Sequence, residues 1–130
     1  MGNRAVITFD TTDTAPCIYL HWNGGRASVE GFLDAAKRLN MATDDHVQFM
    51  DEFAALLAKR FFDCEVGMTV YRELYGEADT DNWDNGTFVI DDKLAIVRRL
   101  FTRGGEEVNA EKTKHISDQI YFAAMPAALV

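Results

Sequence analysis

The sequence predicts an α+β domain in which a mainly antiparallel sheet is packed by three helices, and the hydrophobic periodicity carries that prediction. Short β-branched and aromatic runs alternate with period two near both ends of the chain. Two stretches with apolar residues three and four apart lie between them, and a third closes the chain. The expected order is β-β-α-α-β-β-β-α, an N-terminal hairpin plus a C-terminal three-stranded meander, and 130 residues suit a single domain, 1–130.

Arg4 to Phe9 and Cys17 to Trp22 read as two strands joined by a Thr/Asp/Pro turn cluster. Alternation in the second puts Ile18, Leu20 and Trp22 on one face and Cys17, Tyr19 and His21 on the other. From Ser28, the expected N-cap, the stripe Val29, Phe32, Leu33, Ala36 and Leu39 forms a helix that ends near Asn40. Thr43, Asp44 and Asp45 open a second helix striped by Val47, Met50, Phe53, Leu57 and Phe61. Val66 to Tyr75 returns to period two, and Arg72 interrupts the face of Val66, Met68, Val70 and Leu74. Thr87 to Ile90 and Leu94 to Phe101 are two further strands, ended by Gly104 and Gly105. The last helix begins near Asn109, carries Ile116, Ile120, Ala123 and Ala124 on one face, and stops before Pro126.

Composition excludes several classes. With 48% hydrophobic and 26% charged residues the chain resembles an ordinary globular protein, not a disordered one. A net charge of −8 argues against a nucleic acid polymer as partner, because a phosphate backbone demands a basic surface. Residues 77 to 92 hold six carboxylates and no Lys or Arg, whereas residues 93 to 115 are predominantly basic, which suits a small anion better than a polymer. No apolar run reaches the length of about 18 residues that a membrane span requires, so a cytoplasmic protein without a membrane partner is expected. Cys17 and Cys64 are expected as free thiols, and the scattered His21, His46 and His115 give no zinc spacing.

The most informative stretch is His21-Trp22-Asn23-Gly24-Gly25-Arg26-Ala27-Ser28-Val29-Glu30, where a strand turns on two glycines into a helix. Helix N-terminal N–H groups attract anions, glycines let a phosphate approach the main chain, and Arg26 can fork two oxygens. The plainer alternative is a tight strand-to-helix turn, which Glu30, placed in the first helical turn, favours. The loop superficially resembles the pyrophosphate loop of ATP pyrophosphatases, but Ala27 stands where their Asp would be. Residues 79 to 92 partly match a calcium loop, yet Trp83 occupies a ligand position and the closing Glu is absent, so no metal is expected. An Asn85-Gly86 turn explains the same residues, while an exposed Trp83 and Asn85 also suit a purine and its edge. Arg72, on an apolar face, requires an acidic partner or an anionic ligand. No nucleophile triad or oxyanion site can be read, so binding without turnover is expected.

Leu20-His21-Trp22-Asn23-Gly24-Gly25-Arg26, the Ser28-Val29-Glu30 helix entry, Asp81-Asn82-Trp83-Asp84-Asn85-Gly86-Thr87 and the strand Asn3 to Phe9 together resemble the phage Thoeris anti-defence sponges. That family sequesters cyclic ADP-ribose isomers, and some members also capture cyclic oligonucleotides. The resemblance implies a homo-oligomer, a dimer or larger, acting in the cytoplasm of an infected or lysogenic bacterial cell. It further implies capture of the cyclic nucleotide ligand intact, with no cofactor and no catalysis. Such a ligand needs stacking surfaces, amide edges and a phosphate cradle. The candidate ligand-binding residues are therefore Trp22, Asn23, Gly24, Gly25, Arg26, Arg72, Tyr75, Trp83, Asn85 and Arg103. Two alternatives stay open, an acidic inhibitor acting on a host defence complex through residues 77 to 92 and a small nucleotide-modifying enzyme using the glycine loop.

Overall fold

A computed structural model describes residues 3–62, 70–103 and 108–124. The elements follow the expected order. Strands β1 (Ala5–Thr8) and β2 (Pro16–Leu20) precede helices α1 (Arg26–Arg38) and α2 (His46–Phe62), and β3 (Val70–Leu74) follows them. A short 3₁₀ turn (Tyr75–Glu77), β4 (Thr87–Ile90), β5 (Ile96–Leu100) and α3 (Ala110–Ala124) complete the described chain. Val66 to Thr69, Cys64, Gly104, Gly105 and Pro126, which figured in the expected strand, thiols and terminators, lie outside the described residues.

One five-stranded sheet runs β3-β2-β1-β4-β5. The N-terminal hairpin forms, with Ala5 opposite Leu20 and Thr8 opposite Cys17. The C-terminal strands make no meander. β3 adds to the outer side of β2, pairing Pro16 with Leu74 and Leu20 with Val70, whereas β4 lies parallel to β1 with Val6 opposite Thr87. Only β4 and β5 remain a hairpin, with a bulge opposite Val89 and Ile90. The physical reason is the connection after β3. Residues 75 to 86 are too many for the short turn a meander uses, and they cross the sheet instead.

The helices pack on one face. Ile7, Ile18, Leu20, Phe88 and Ile90 from the strands meet Val29, Phe32, Leu33, Phe49, Phe53, Leu57 and Ile120 from the helices. The other face is also closed in its middle, where Val6, Thr8, Cys17 and Thr87 are fully buried. The crossing segment covers them, and Thr87 Oγ1 donates to the Thr80 carbonyl at 3.1 Å. Burial pushes the Cys17 thiol up to about 12, leaving it a small apolar packing group at neutral pH. No helix among the described residues is long and apolar enough to cross a membrane.

Helix α1 starts earlier than the apolar stripe predicts. Gly25 is its N-cap and its carbonyl accepts the Val29 N–H at 2.9 Å, so Ser28 is an internal helical residue and not the cap. Ser28 is buried against the interior from within the helix. The α3 start agrees with expectation: Asn109 Oδ1 accepts the Lys112 N–H at 3.0 Å.

Candidate functional site

Strand directions gather the two glycine-containing loops. β1 is antiparallel to β2 and parallel to β4, so the residues after β2, before β1, before β4 and after β5 all lie at one end of the sheet. Asn3 and Arg4 form the clasp between them. The Asn3 carbonyl accepts the Gly24 N–H at 2.7 Å, and Asn3 Oδ1 accepts from Asn85 Nδ2 at 2.6 Å. The Arg4 carbonyl accepts from the Asn85 N–H, while Arg4 Nε donates to Asp84 Oδ2 at 2.7 Å.

Apart from Arg72 and Tyr75, the candidate residues lie in the segments at this end of the sheet. Trp22 lies beyond the end of β2 and is 40% exposed, packed edge-on against His21 with ring centres 5.2 Å apart. His21 in turn shares a hydrogen bond of 3.1 Å with the Tyr19 hydroxyl, and Tyr19 stacks near Tyr71. Trp83 is 70% exposed with a left-handed φ of 63°. Arg103 lies 4.2 Å from the Trp83 ring centre and donates to Asp81 Oδ2 at 2.6 Å. Asn23 also adopts a left-handed φ, of 57°, which an asparagine tolerates better than most residues.

The glycines do different work. A Cβ on Gly24 would sit 2.6 Å from both the Ala5 Cβ and the Asn3 carbonyl, so close packing against β1 requires glycine there. A Cβ on Gly25 would come no nearer than 3.8 Å to Asn3 Oδ1. No side chain caps the N-terminus of α1, and its first turn holds no carboxylate. Glu30 therefore lies beyond the first turn and not within it as expected, and it accepts from Arg26 Nε at 2.8 Å.

Arg72 and Tyr75 stand apart. Arg72 lies opposite Ile18 on the helix-facing side, where Nε donates to Asp51 Oδ1 of α2 at 3.0 Å, so the acidic partner that its position requires is present. Tyr75 follows the far end of β3, and its N–H donates to the Ala15 carbonyl. Its side chain returns over the sheet to Thr87, and burial raises its hydroxyl pKa.

Three organising residues, Asn3, Asn82 and Asp84, lie within the motifs that carry the resemblance but are not among the candidate residues; Asn82 is fully buried within its own loop. The Asx chemistry of Asn82, four residues before Gly86, was the available signal. At Asp84 partial burial works against ionisation, but the hydrogen bonds and charge of Arg4 outweigh it and hold the carboxyl below its ordinary range. A depressed folded pKa stabilises the fold above the unfolded value near pH 4, and that contribution is lost as pH falls through the folded value. Thermal unfolding between neutral pH and about pH 3 is expected to show this loss, and Asp84→Asn is expected to flatten that limb. An unchanged acid limb in the variant would remove Asp84 from the account.

Set against protein families, curated proteins and solved structures, the chain matches none of them.

Proposed function

We propose that this protein is a non-catalytic binder that captures a cyclic nucleotide signal of the cyclic ADP-ribose kind and holds it intact, as a phage anti-defence sponge does. The observation that carries the reading is the convergence of the two loops on Asn3, with Trp22 and Trp83 left exposed and the start of α1 uncapped. An exposed indole on a left-handed backbone gains little from folding, and such cost is most readily offset by a ligand. Base stacking on the indoles and phosphate at Gly25 and Arg26 use the chemistry each group offers. Asn82 and Asn85 contribute by holding the loop, since their amides already serve Gly86, Asn3 and Arg4. Assembly into a homo-oligomer would let this end of the sheet meet a second copy and enclose the ligand.

The test is to load the protein with a cyclic ADP-ribose isomer, remove free ligand, heat, and chromatograph the release. Unchanged ligand supports the reading, a new product means turnover, and no retention overturns it. Trp83→Ala and Arg26→Ala are each expected to weaken binding about ten-fold or more, read by calorimetry. Unaltered affinity in both would remove this end of the sheet as the site.

A further inference from the structure

A groove of about 360 Å³ runs from Arg26 along α1, between that helix and residues 94–96 at the start of β5. Its charged side chains all come from α1. Arg26, Glu30, Asp34 and Lys37 are spaced four, four and three residues apart, so they stand in one row on one face of the helix. Exposed Ala95 and half-buried Ile96 belong to the opposite wall.

The row balances its own charge. Two cations stand with two carboxylates, so net charge draws neither an anion nor a cation into the groove, yet hydrogen-bonding groups are dense there. Those groups are only partly engaged. Glu30 accepts from Arg26 through Oε1 and Asp34 accepts from Ser117 through Oδ2, which leaves the second oxygen of each carboxylate without a hydrogen bond among the described residues. Lys37 makes no ion pair among them. Thr113 Oγ1, also in the lining, donates to the Ala27 carbonyl at 2.9 Å and keeps its acceptor lone pairs. A neutral molecule with several hydroxyls satisfies such a lining, since each hydroxyl donates to a carboxylate or accepts from an ammonium while C–H groups pack on Ala95 and Ile96.

Position narrows the class from a polyol to a ribose. The phosphate assigned above to Gly25 and Arg26 lies at one end of the row, and the inference rests on that assignment. Glu30 is one helical turn, about 6 Å, further along, and Asp34 a second turn. That step matches the short link between a 5′-phosphate and the hydroxyls of its sugar. Dinucleotide sites divide the same two groups between a helix start for the phosphate and a carboxylate for the ribose. A volume at the small end of the range for ligand sites suits one sugar and not a whole nucleotide.

We infer that this groove is a ribose subsite, in which Glu30 and Asp34 accept hydrogen bonds from the sugar hydroxyls and Lys37 donates to them, while the phosphate stays at Arg26. The probes are ribose 5-phosphate, 2-deoxyribose 5-phosphate and inorganic phosphate, each titrated into the isotope-labelled intact chain and followed by amide NMR shifts. Ribose 5-phosphate is expected to move the resonances of residues 26–37 and 94–96, whereas inorganic phosphate moves only those at the start of α1. Removing the 2-hydroxyl, or introducing Asp34→Asn, is expected to weaken binding of the sugar phosphate about ten-fold, with inorganic phosphate unaffected by the variant. The same spectra verify that the variant folds, and Glu30→Gln, which keeps the side-chain shape, supplies a second case. No shifts along the groove, equal affinity for the two sugars, or affinity unchanged in both variants overturns the inference. Retention of the cyclic ADP-ribose isomer with an unresponsive groove overturns it alone. A responsive groove without retention of that isomer supports the subsite and overturns the sponge reading alone.

Discussion

Gly86→Ala is expected to destabilise the fold by about 3–5 kcal/mol, a large share of the roughly 5–15 kcal/mol that holds a domain together. The backbone at Gly86 has a φ of 66°, where any side chain is strained. A Cβ there would lie 2.0 Å from the Leu100 carbonyl oxygen and 2.7 Å from the Phe101 carbonyl group. Both neighbours are main chain, so no rotamer change relieves the clash. The strand end would have to move, although the Gly86 carbonyl also accepts the Val6 N–H at 2.9 Å and thereby starts the parallel β1–β4 pairing. Gly25→Ala provides the contrast. Its φ of −67° is ordinary and the space is open, so a change within about 1 kcal/mol is expected. Urea denaturation of the two variants measures the difference, and an unshifted midpoint for Gly86→Ala would mean that this loop is not packed against the end of β5.

How much of this was legible depends on whether the signal was local. Element order follows from periodicity, and the Val29, Phe32, Leu33 and Ala36 stripe of α1 faces the core as read. Sheet order is a non-local property. The signal for it was composition within the strands, because Ala5 to Thr8 and Thr87 to Ile90 are buried on both faces and contain no charge, as central strands do. The Tyr71-Arg72-Glu73 and Arg98-Arg99 runs mark β3 and β5 as borders. At the site, the loop glycines and asparagines were read for what they could offer a ligand. Gly24 is instead required by the approach of Asn3 and Ala5, a contact that becomes visible only once β1 is placed beside β2. The ion pairs are non-local in the same way. Arg72 needed a partner, and Asp51 supplied it from a helix that sequence spacing could not orient.

Asn82 is where the loop bearing Trp83 is held, and its replacement is the second large effect expected. The side chain is fully buried and uses both ends of its amide. Nδ2 donates to the carbonyls of Asp79 and Gly86 at 3.0 Å each, and Oδ1 accepts from the N–H groups of Gly86 at 2.9 Å and Asp84 at 3.3 Å. Asn82→Ala orphans the buried Gly86 N–H and removes a donor from the Asp79 carbonyl, at an expected cost of about 2–4 kcal/mol. Asn82→Asp is the sharper probe because it keeps the shape. Its carboxylate has no proton for the two carbonyls and places a charge in a buried position, so at neutral pH it is expected to be the less stable variant. Burial favours the protonated acid and raises its folded pKa above the unfolded one, so its deficit relative to Asn82→Ala should shrink as pH falls through that raised value. Denaturation of both variants at neutral and mildly acidic pH separates the cases. A deficit independent of pH would mean that the carboxylate reaches solvent, and that the loop placing Trp83 and Asp84 is not built around a dry amide.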